Sequence, residues 1–213
     1  MKITILCSDA LHPVNEYLKS WISMNKVEHQ IDLIRLKSEL SHGDLLFLIS
    51  CTEILSDFDR KLYLKTLVIH ASDLPSGKGW SPHIWQIIEG ATTLTITLLD
   101  AVDKIDSGDI WIKLKVPVSK DALYDEINQL IFDAELKLMN FAIENFETIV
   151  KEKQCSNIES SYYNKRSPHD SKINPNKSIA DQFDLIRVCD PQRFPAFFEL
   201  HGNKYIIRLE KVS

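Results

Sequence analysis

The stretch 67-LVIHASDLPSGKGWSPHIWQIIEGATTLTITLLDAVDKIDSGDI-110 carries the signals that decide the fold. It opens in a short apolar run, 66–69, and contains a second apolar run, 93–99, and both are typical of buried parallel strands. His70 ends the first run, and an acidic turn that contains Asp106 follows the second. If the two strands are neighbours in one parallel sheet, His70 and Asp106 meet at its carboxyl edge, where open α/β sheets place their ligands.

Strand and helix patterns alternate along most of the chain. Further strands are predicted at 2–6, 30–36, 44–50 and 110–116, and amphipathic helices at 12–25, 81–89 and 121 to about 153. This alternation predicts an α/β fold, with a Rossmann-like, mainly parallel sheet and helices on both faces. We expect residues 1–153 to form one domain.

The composition becomes more polar after residue 153. Residues 154–177 are predicted to form a long loop, followed by a short helix that Ser178 caps and a β-hairpin built from 194–200 and 205–209. This segment is too short for a core of its own, so 154–213 is predicted to be a small C-terminal extension that packs on the first domain.

Composition excludes several classes of protein. The net charge of −5 and the pI near 5.8 argue against a nucleic-acid partner, which usually leaves a basic footprint. No apolar run is long enough to span a membrane, and the N-terminus lacks the features of a signal peptide, so we expect a cytoplasmic protein. The four scattered cysteines have no zinc-site spacing, which predicts free thiols and no metal.

The first strand–helix turn argues against a dinucleotide enzyme. Such enzymes need glycines there, so that phosphates can approach the backbone. The corresponding turn in this chain is 7-CSDA-10, which has no glycine.

Two readings of His70 and Asp106 stay open from the residues alone. A histidine that a carboxylate orients is a general acid–base unit. Alternatively, His70 pairs with a backbone carbonyl at a strand end and Asp106 is an ordinary turn acid, since structural pairs of this kind also occur.

The ordered motifs between these two residues resemble the tetrahydrofolate-dependent formyltransferases. That family's signature is N-x-H, an S-x-L-P loop, a small-S-P helix start and D-x-G-D. The matching positions here are His70, Ser72, Leu74, Pro75, Ser81, Pro82, Asp106, Gly108 and Asp109. The 36-residue step from His70 to Asp106 is also the family's spacing. Where the family has a catalytic asparagine, this chain has Val68.

The resemblance implies roles for these residues. His70 and Asp106 would be catalytic, residues 1–153 would be the catalytic domain, and 10-formyltetrahydrofolate would be the formyl donor. The asparagine would hydrogen-bond the formyl oxygen, and Val68 cannot donate. Losing such a donor costs about 2.7–4 kcal/mol in other enzymes. Ser72 and a backbone amide near Trp80 are therefore candidates to replace it.

The resemblance also implies two binding regions. The folate site would lie on the loops after the third and fifth long strands, with Cys51, Ile54, Leu55, Val102, Asp103, Ile105 and Asp106. The acceptor site would include Ser72, Lys78, Trp80, Ser81 and Trp85. Lys78 suits a phosphate partner, although each of these residues also has an ordinary structural explanation. His83 is predicted to be a surface helix residue.

Residues of the C-terminal extension indicate the class of acceptor substrate. Arg166, Pro168, Asp170, Leu185, Arg187, Pro195 and Phe198 are similar to the closing segment of bacterial sugar N-formyltransferases. This implies a nucleotide-linked, UDP-type 4-amino-4,6-dideoxy sugar as acceptor, as in the pseudaminic-acid branch, for surface glycan or flagellin glycosylation. Expected partners are this sugar nucleotide and folate, without nucleic acid or membrane, and a homodimer is left open. Two alternatives remain: a glycinamide ribonucleotide formyltransferase, and a non-catalytic relic or partner subunit that binds folate or a nucleotide sugar.

Overall fold

The computed structural model describes residues 1–212. The strands are β1 (Lys2–Leu6), β2 (Gln30–Ile34), β3 (Gly43–Leu48), β4 (Tyr63–His70), β5 (Lys78–Gly79), β6 (Thr93–Asp100), β7 (Ile110–Pro117), β8 (Tyr162–Tyr163), β9 (Ala196–Leu200) and β10 (Asn203–Ile207). The helices are α1 (Val14–Asn25), α2 (Asp57–Arg60), α3 (Pro82–Ile88), α4 (Tyr124–Glu144) and α5 (Phe183–Arg187). The central sheet has six strands in the order β2-β1-β3-β4-β6-β7, with flanking helices, which confirms the predicted fold class.

One part of the sheet prediction is wrong. β4 and β6 are neighbours, as expected, but they run antiparallel, with His70 opposite Thr97. β7 is antiparallel as well, so only β2, β1, β3 and β4 form the parallel part of the sheet. Near-continuous apolar runs are typical of parallel strands, but β6 gives the same run because it is buried along almost its whole length while running antiparallel to both neighbours.

Side-chain alternation along β4 places His70. Leu67 and Ile69 lie in the larger core cluster, together with side chains of α1 and α4. Because successive strand residues face opposite sides of a sheet, Val68 and His70 face the other side. There Leu48, the register partner of Val68, packs in a second core cluster.

Helix α4 ends earlier than the sequence predicts. The backbone N–H and the side-chain amide of Asn145 both donate to the Phe141 carbonyl, at 3.0 and 2.9 Å, and turns follow. Glu152 then pairs with Ile110 at the start of β7 through two backbone hydrogen bonds of 2.7 and 2.8 Å. The apolar spacing continues to Ile149, so the pattern alone overextended the helix.

The C-terminal segment is in contact with the sheet domain. The buried Arg187 donates to the carbonyls of Ser119 and Ala122 at 3.2 and 3.0 Å. β9 and β10 form the hairpin, and Ser178 accepts from the Asp181 N–H at 3.1 Å. The division at residue 153 stays a prediction, and Ser213, the last residue of the predicted extension, lies outside the described residues. Within 1–212, no helix is long and apolar enough to cross a membrane.

Candidate active site

His70 and Asp106 lie side by side in the folded chain. The Nδ1 atom of His70 is 3.6 Å from Oδ1 of Asp106, slightly beyond hydrogen-bond distance, and both side chains are less than one-tenth exposed. Since β6 runs antiparallel to β4, the two residues do not meet at a shared carboxyl edge. The loop 101–109 turns back and carries Asp106 to His70, with Asp106 in the left-handed region at φ +52°.

The second ring nitrogen of His70 is also engaged by the chain. Nε2 lies 2.9 Å from the carbonyl oxygen of Gly77. A carbonyl only accepts, so Nε2 carries a hydrogen, and Nδ1 faces a carboxylate that also only accepts. The ring thus has an acceptor beside each nitrogen: the Gly77 carbonyl within hydrogen-bond distance of Nε2, and the Asp106 carboxylate 3.6 Å from Nδ1. A substrate oxygen that approaches Nε2 would compete with Gly77.

Asp106 is held by two groups, the backbone of Gly79 and the side chain of Gln154. The Gly79 N–H donates to Oδ2 at 2.9 Å. The side-chain amide of Gln154 donates to the Asp106 carbonyl at 2.9 Å and to the Gly108 carbonyl at 3.0 Å. Gly108 must lack a side chain, because a Cβ there would lie 1.9 Å from the Asp100 carbonyl oxygen. This explains why the D-x-G-D turn contains glycine at that position.

The loop that covers His70 is fixed by the tail. β5 pairs in parallel with β8, so Lys78 and Gly79 lie beside Tyr162 and Tyr163. Gly79 has φ +95°, and a Cβ there would lie 2.4 Å from the Tyr163 carbonyl oxygen. The polar composition of 154–177 predicts a loop, so β8 is a strand that the sequence reading did not predict. The adjacent tyrosines, which favour strands, are the signal that could have indicated it.

The two predicted folate loops are joined by Arg60. Its guanidinium donates to the Leu55 carbonyl at 2.8 Å and forms an ion pair with Asp103. Apolar side chains on these loops are exposed: Ile54 at 67%, Val102 at 43% and Ile105 at 52%. The loops therefore present an apolar surface next to Asp106.

Two of the predicted folate residues, Leu55 and Cys51, do not belong to that exposed apolar surface. Leu55 is buried in the core cluster with Leu6, Leu46 and Tyr63, so its side chain supports the loop and does not form a wall. Cys51 is half-buried, and its Sγ accepts from the Ser8 hydroxyl at 3.7 Å. Folate binding by these residues stays a prediction.

The predicted acceptor residues lie beside cations and aromatic rings. The Trp85 and Tyr163 rings stack, with centroids 6.2 Å apart and planes 9° apart. Lys165 Nζ is 4.7 Å from the Trp80 ring centroid, and the Arg166 guanidinium is 5.7 Å from that of Trp85. Lys78 Nζ donates to the Ser107 hydroxyl at 2.9 Å. Ser81 is exposed and has φ +45°.

The candidate oxyanion donors do not fit as expected. The Trp80 N–H already donates to the Tyr163 carbonyl at 3.0 Å, so it is not free. Ser72 is 1% exposed, and its hydroxyl has no hydrogen-bond partner among the described residues. Its oxygen is close to where a Gly77 Cβ would stand, at 3.3 Å, and does not face an open cleft.

Two further histidines lie near this region. Burial, and then the charge of Arg193, lowers the pKa of His12, whose Nε2 lies 3.4 Å from the Ser50 hydroxyl. His83, predicted to be a surface helix residue, is half-buried, and burial lowers its pKa to about 3, with the charges of His12, His70 and Arg166 adding to the effect. His12 follows β1, and the rule that ligands bind where parallel strands end could have indicated it.

Two cavities lie away from the His70–Asp106 pair. One, of about 430 Å³, is lined by residues of 123–126 and 207–211. The other, of about 350 Å³, is lined by Leu74, Trp111 and Cys155 among others. The pair itself lies beneath the 76–79 loop, to which it is joined through the Gly77 carbonyl and the Gly79 N–H.

Comparison with known sequences places residues 9–143 in a family described as "Formyl transferase". The bifunctional polymyxin resistance protein ArnA of Wigglesworthia glossinidia brevipalpis is 29% identical over 80% of this chain and 26% of its own length. A methionyl-tRNA formyltransferase of Clostridium acetobutylicum is 27% identical over 84% of this chain and 57% of its own length. The chain thus spans less than two thirds of these curated relatives.

Solved structures share the fold. A methionyl-tRNA formyltransferase from Clostridium thermocellum superimposes with a TM-score of 0.80 at 21% identity, over 96% of this chain and 90% of its own. A sugar N-formyltransferase from Shewanella sp FDAARGOS_354 gives 0.73 at 20% identity, over 100% and 99% of the two chains. HypX from Aquifex aeolicus, in complex with tetrahydrofolic acid, gives 0.79 at 21% identity, over 96% of this chain and 36% of its own.

Proposed function

The chain belongs to the formyl transferase family, and on this premise we propose that it moves a formyl group from 10-formyltetrahydrofolate to the amine of a nucleotide-linked sugar. The observation that carries the proposal is the buried His70–Asp106 pair, with 3.6 Å between Nδ1 and Oδ1. A histidine that a carboxylate holds in place can stabilise negative charge and move a proton at the same centre.

The chemistry that the site must support is acyl transfer. The sugar amine attacks the formyl carbon, and its new bond to nitrogen forms while the carbonyl oxygen becomes an oxyanion. The bond from carbon to N10 of the folate then breaks, and the proton lost by the amine goes to N10. In this scheme His70 donates a hydrogen bond to the oxyanion, passes a proton to the departing N10 and takes up the proton that the amine loses, while Asp106 orients the ring.

The donor fits the loops that Arg60 joins. Pterin rings present a flat, partly apolar face and an edge of hydrogen-bonding atoms. Ile54, Val102 and Ile105 offer exposed apolar contacts there, at 67%, 43% and 52% exposure. Backbone groups of 101–106 would meet the polar edge. HypX, which has the same fold, is bound to tetrahydrofolic acid, and this supports a folate in the present chain.

The acceptor site suits an anionic, aromatic substrate. Lys165 and Arg166 lie over Trp80 and Trp85, so cations and aromatic faces alternate on one surface. A diphosphate is recognised by such cations, and a base stacks on such rings. Nearby, burial lowers the pKa of Lys78, and the charge of Lys104 adds to the effect, as expected where cations gather. The surface therefore supports a sugar nucleotide.

The sugar class is supported by a structural neighbour and by the tail. The Shewanella sugar N-formyltransferase and this chain cover each other almost completely, at 99% and 100%. The tail motif favours a UDP-linked 4-amino-4,6-dideoxy sugar, as in the pseudaminic-acid branch. A homodimer and a cytoplasmic location stay predictions.

A methionyl-tRNA acceptor is the second candidate, because formyltransferases of that class match in sequence and fold. The net charge of −5 weighs against it, since tRNA binding is favoured by a basic surface. Glycinamide ribonucleotide is a third acceptor for the same chemistry.

The test is an acceptor screen. Purified protein is mixed with 10-formyltetrahydrofolate and, in turn, UDP- and dTDP-linked 3- and 4-amino sugars, glycinamide ribonucleotide and methionyl-tRNA. Tetrahydrofolate release is followed by absorbance, and the formylated product is identified by mass. We expect turnover only with a sugar nucleotide. The control pair is Asp106→Asn, expected to be inactive, and Asp32→Asn on an exposed site of β2, expected to be active. Turnover with tRNA alone, or with no acceptor, would contradict the proposal.

A further inference from the structure

We propose that Gln154 is a positioning residue of this site: its amide fixes the backbone of the 106–108 turn and thereby aims the Asp106 carboxylate at His70. The inference goes beyond the proposed function and rests on it for its kinetic test. Gln154 lies in the segment that sequence analysis predicted to be a loop, and it belongs to no motif of the catalytic signature.

Both hydrogens of the Gln154 amide are used. Nε2 donates to the carbonyl of Asp106 at 2.9 Å and to the carbonyl of Gly108 at 3.0 Å. These two carbonyls converge on one donor because Asp106 adopts φ +52°, a conformation that a residue with a Cβ rarely holds without support. The amide thus stabilises the backbone conformation that turns the Asp106 side chain inward.

Gln154 is itself held by the sheet. Two residues earlier, Glu152 exchanges backbone hydrogen bonds of 2.7 and 2.8 Å with Ile110, the first residue of β7. The anchor therefore lies at one end of the 101–109 loop, and Gln154 reaches back across that loop. Because the backbone near Gln154 is already ordered by this pairing, less backbone freedom is lost when the side-chain amide forms its hydrogen bonds.

The same segment then reaches the opposite side of the His–Asp pair. Ser161 Oγ accepts from the Gly77 N–H at 2.8 Å, and the Ser161 carbonyl accepts from the Lys78 N–H at 2.9 Å. Gly77 is the residue whose carbonyl meets His70 Nε2. The single segment 152–163 therefore holds Asp106 through Gln154. Through Ser161 it also holds Gly77, whose carbonyl contacts His70.

Two substitutions of Gln154 distinguish the effect of its hydrogen-bond donation from the effect of its side-chain shape. Gln154→Met keeps the length and flexibility of the side chain but donates no hydrogen bond. Gln154→Glu keeps the shape and places a carboxylate against two carbonyl oxygens. When this glutamate is protonated it regains one donor. The matched control is Gln182→Met, because the Gln182 amide also donates to several carbonyls, at 3.0, 3.4 and 3.2 Å, but within the tail.

The kinetic expectation is a loss in kcat and not in KM. A misplacement of about 1 Å at a reacting centre costs about 10²-fold in rate, so Gln154→Met should lower kcat roughly 10- to 100-fold. KM for both substrates should stay within about twofold of the wild-type value. Gln182→Met should lower the Tm but keep kcat within about twofold. The kcat ratio of Gln154→Glu to Gln154→Met should rise as pH falls, since protonation restores a donor.

A second measurement does not need turnover. Histidine labelled with ¹⁵N reports the His70 ring directly by NMR, with His70→Gln used to assign its signals. At a fixed pH, Gln154→Met should shift the ring ¹⁵N resonances of His70, and Gln182→Met should leave them in place. If the wild type formylates none of the acceptors, the proposed function fails, and this spectrum still tests the positioning role. If Gln154→Met does not fold, Gln154→Glu is measured at low and high pH instead. Unchanged His70 resonances together with kcat within twofold in the Gln154 variants would overturn the inference.

Discussion

The backbone N–H of Gly79 donates to the Oδ2 atom of Asp106 at 2.9 Å, and this bond joins the loop over His70 to the loop that carries the acid. Gly79 lies in β5, which pairs with β8 from the C-terminal segment. The position of the Asp106 carboxylate thus depends on β8, which begins 56 residues after Asp106, a link that no local motif contains.

Gly79→Ala should therefore impair both activity and stability. A Cβ at residue 79 would lie 2.4 Å from the Tyr163 carbonyl oxygen, at φ +95°. Relief of this clash must separate β5 from β8 and move the N–H that bonds Asp106. The control is Gly90→Ala, which has φ +93° but nothing within 4 Å of the new Cβ. We expect both variants to lose some Tm, and Gly79→Ala alone to lose at least tenfold in kcat. Equal kcat in the two variants would contradict the link.

Substitution of either His70 or Asp106 should lower turnover by about 10²-fold or more, the usual scale for a positioned acid–base group. Glutamine and asparagine at residue 70 place their amides near different ring nitrogens of the wild-type histidine, so the two variants test different contacts. His70→Gln can still donate to the Gly77 carbonyl, which lies 2.9 Å from Nε2 in the wild type, but it loses the group that faces Asp106. His70→Asn places its amide nearer the Nδ1 position. Steady-state kinetics should show both variants and Asp106→Asn strongly impaired, with the Tm of His70→Gln nearest to wild type. Robust turnover by Asp106→Asn would sink the catalytic assignment.

Val68→Asn separates an active enzyme from a relic. Val68 lies on the same face of β4 as His70, two residues away, where a side-chain amide would suit the family's oxyanion donor. In an active enzyme another group already meets the oxyanion, so the variant should stay within about tenfold of wild type or exceed it. A full missing donor would be worth about 10²–10³ in rate. Turnover of both proteins on one acceptor is the measurement. A wild type that binds ligand but turns over no acceptor, with activity appearing only in Val68→Asn, would favour the relic.

Glu135 should make stability fall as pH rises. Its side chain is buried on α4, Oε2 has no partner within residues 1–212, and burial raises its pKa from 4.5 to about 8. Below pH 4.5 the carboxyl is neutral in both the folded and the unfolded chain. Between pH 4.5 and 8 only the unfolded chain loses the proton, so the free energy of unfolding decreases across that window.

Glu135→Gln removes this titration. Urea unfolding at several pH values should show the variant gaining stability relative to wild type from pH 5 to 8. The exposed Glu147→Gln is the control, and its difference from wild type should not change with pH. A constant difference for Glu135→Gln as well would show that the buried carboxyl is not the cause.

The order of elements in the sheet domain follows from local signals. The strand at 93–100 appears where its apolar run predicts it, because burial on both faces requires such a run. The strand at 110–117 is also found as predicted, at the edge of the sheet, where exposed lysines alternate with less exposed apolar residues. Helix α1 likewise begins after Pro13, which is suited to a first turn. The ordered motif from His70 to Asp106 identified the two groups that the structure brings together.

The direction of the strands, the pairing between them and the hydrogen-bond partners of the site residues are set only in the tertiary structure. Whether β6 runs parallel or antiparallel to β4 depends on how the chain closes the sheet, and an apolar run is the same in either direction. Gln154, Tyr163 and the ring nitrogens of His70 find their partners between segments that are far apart in sequence. Residue identity and short spacing were thus enough to indicate the main strands and helices, the family, and the two residues that the structure brings together. The contacts that aim the pair were determined only on folding, because a hydrogen bond across distant segments leaves no periodic trace in either of them.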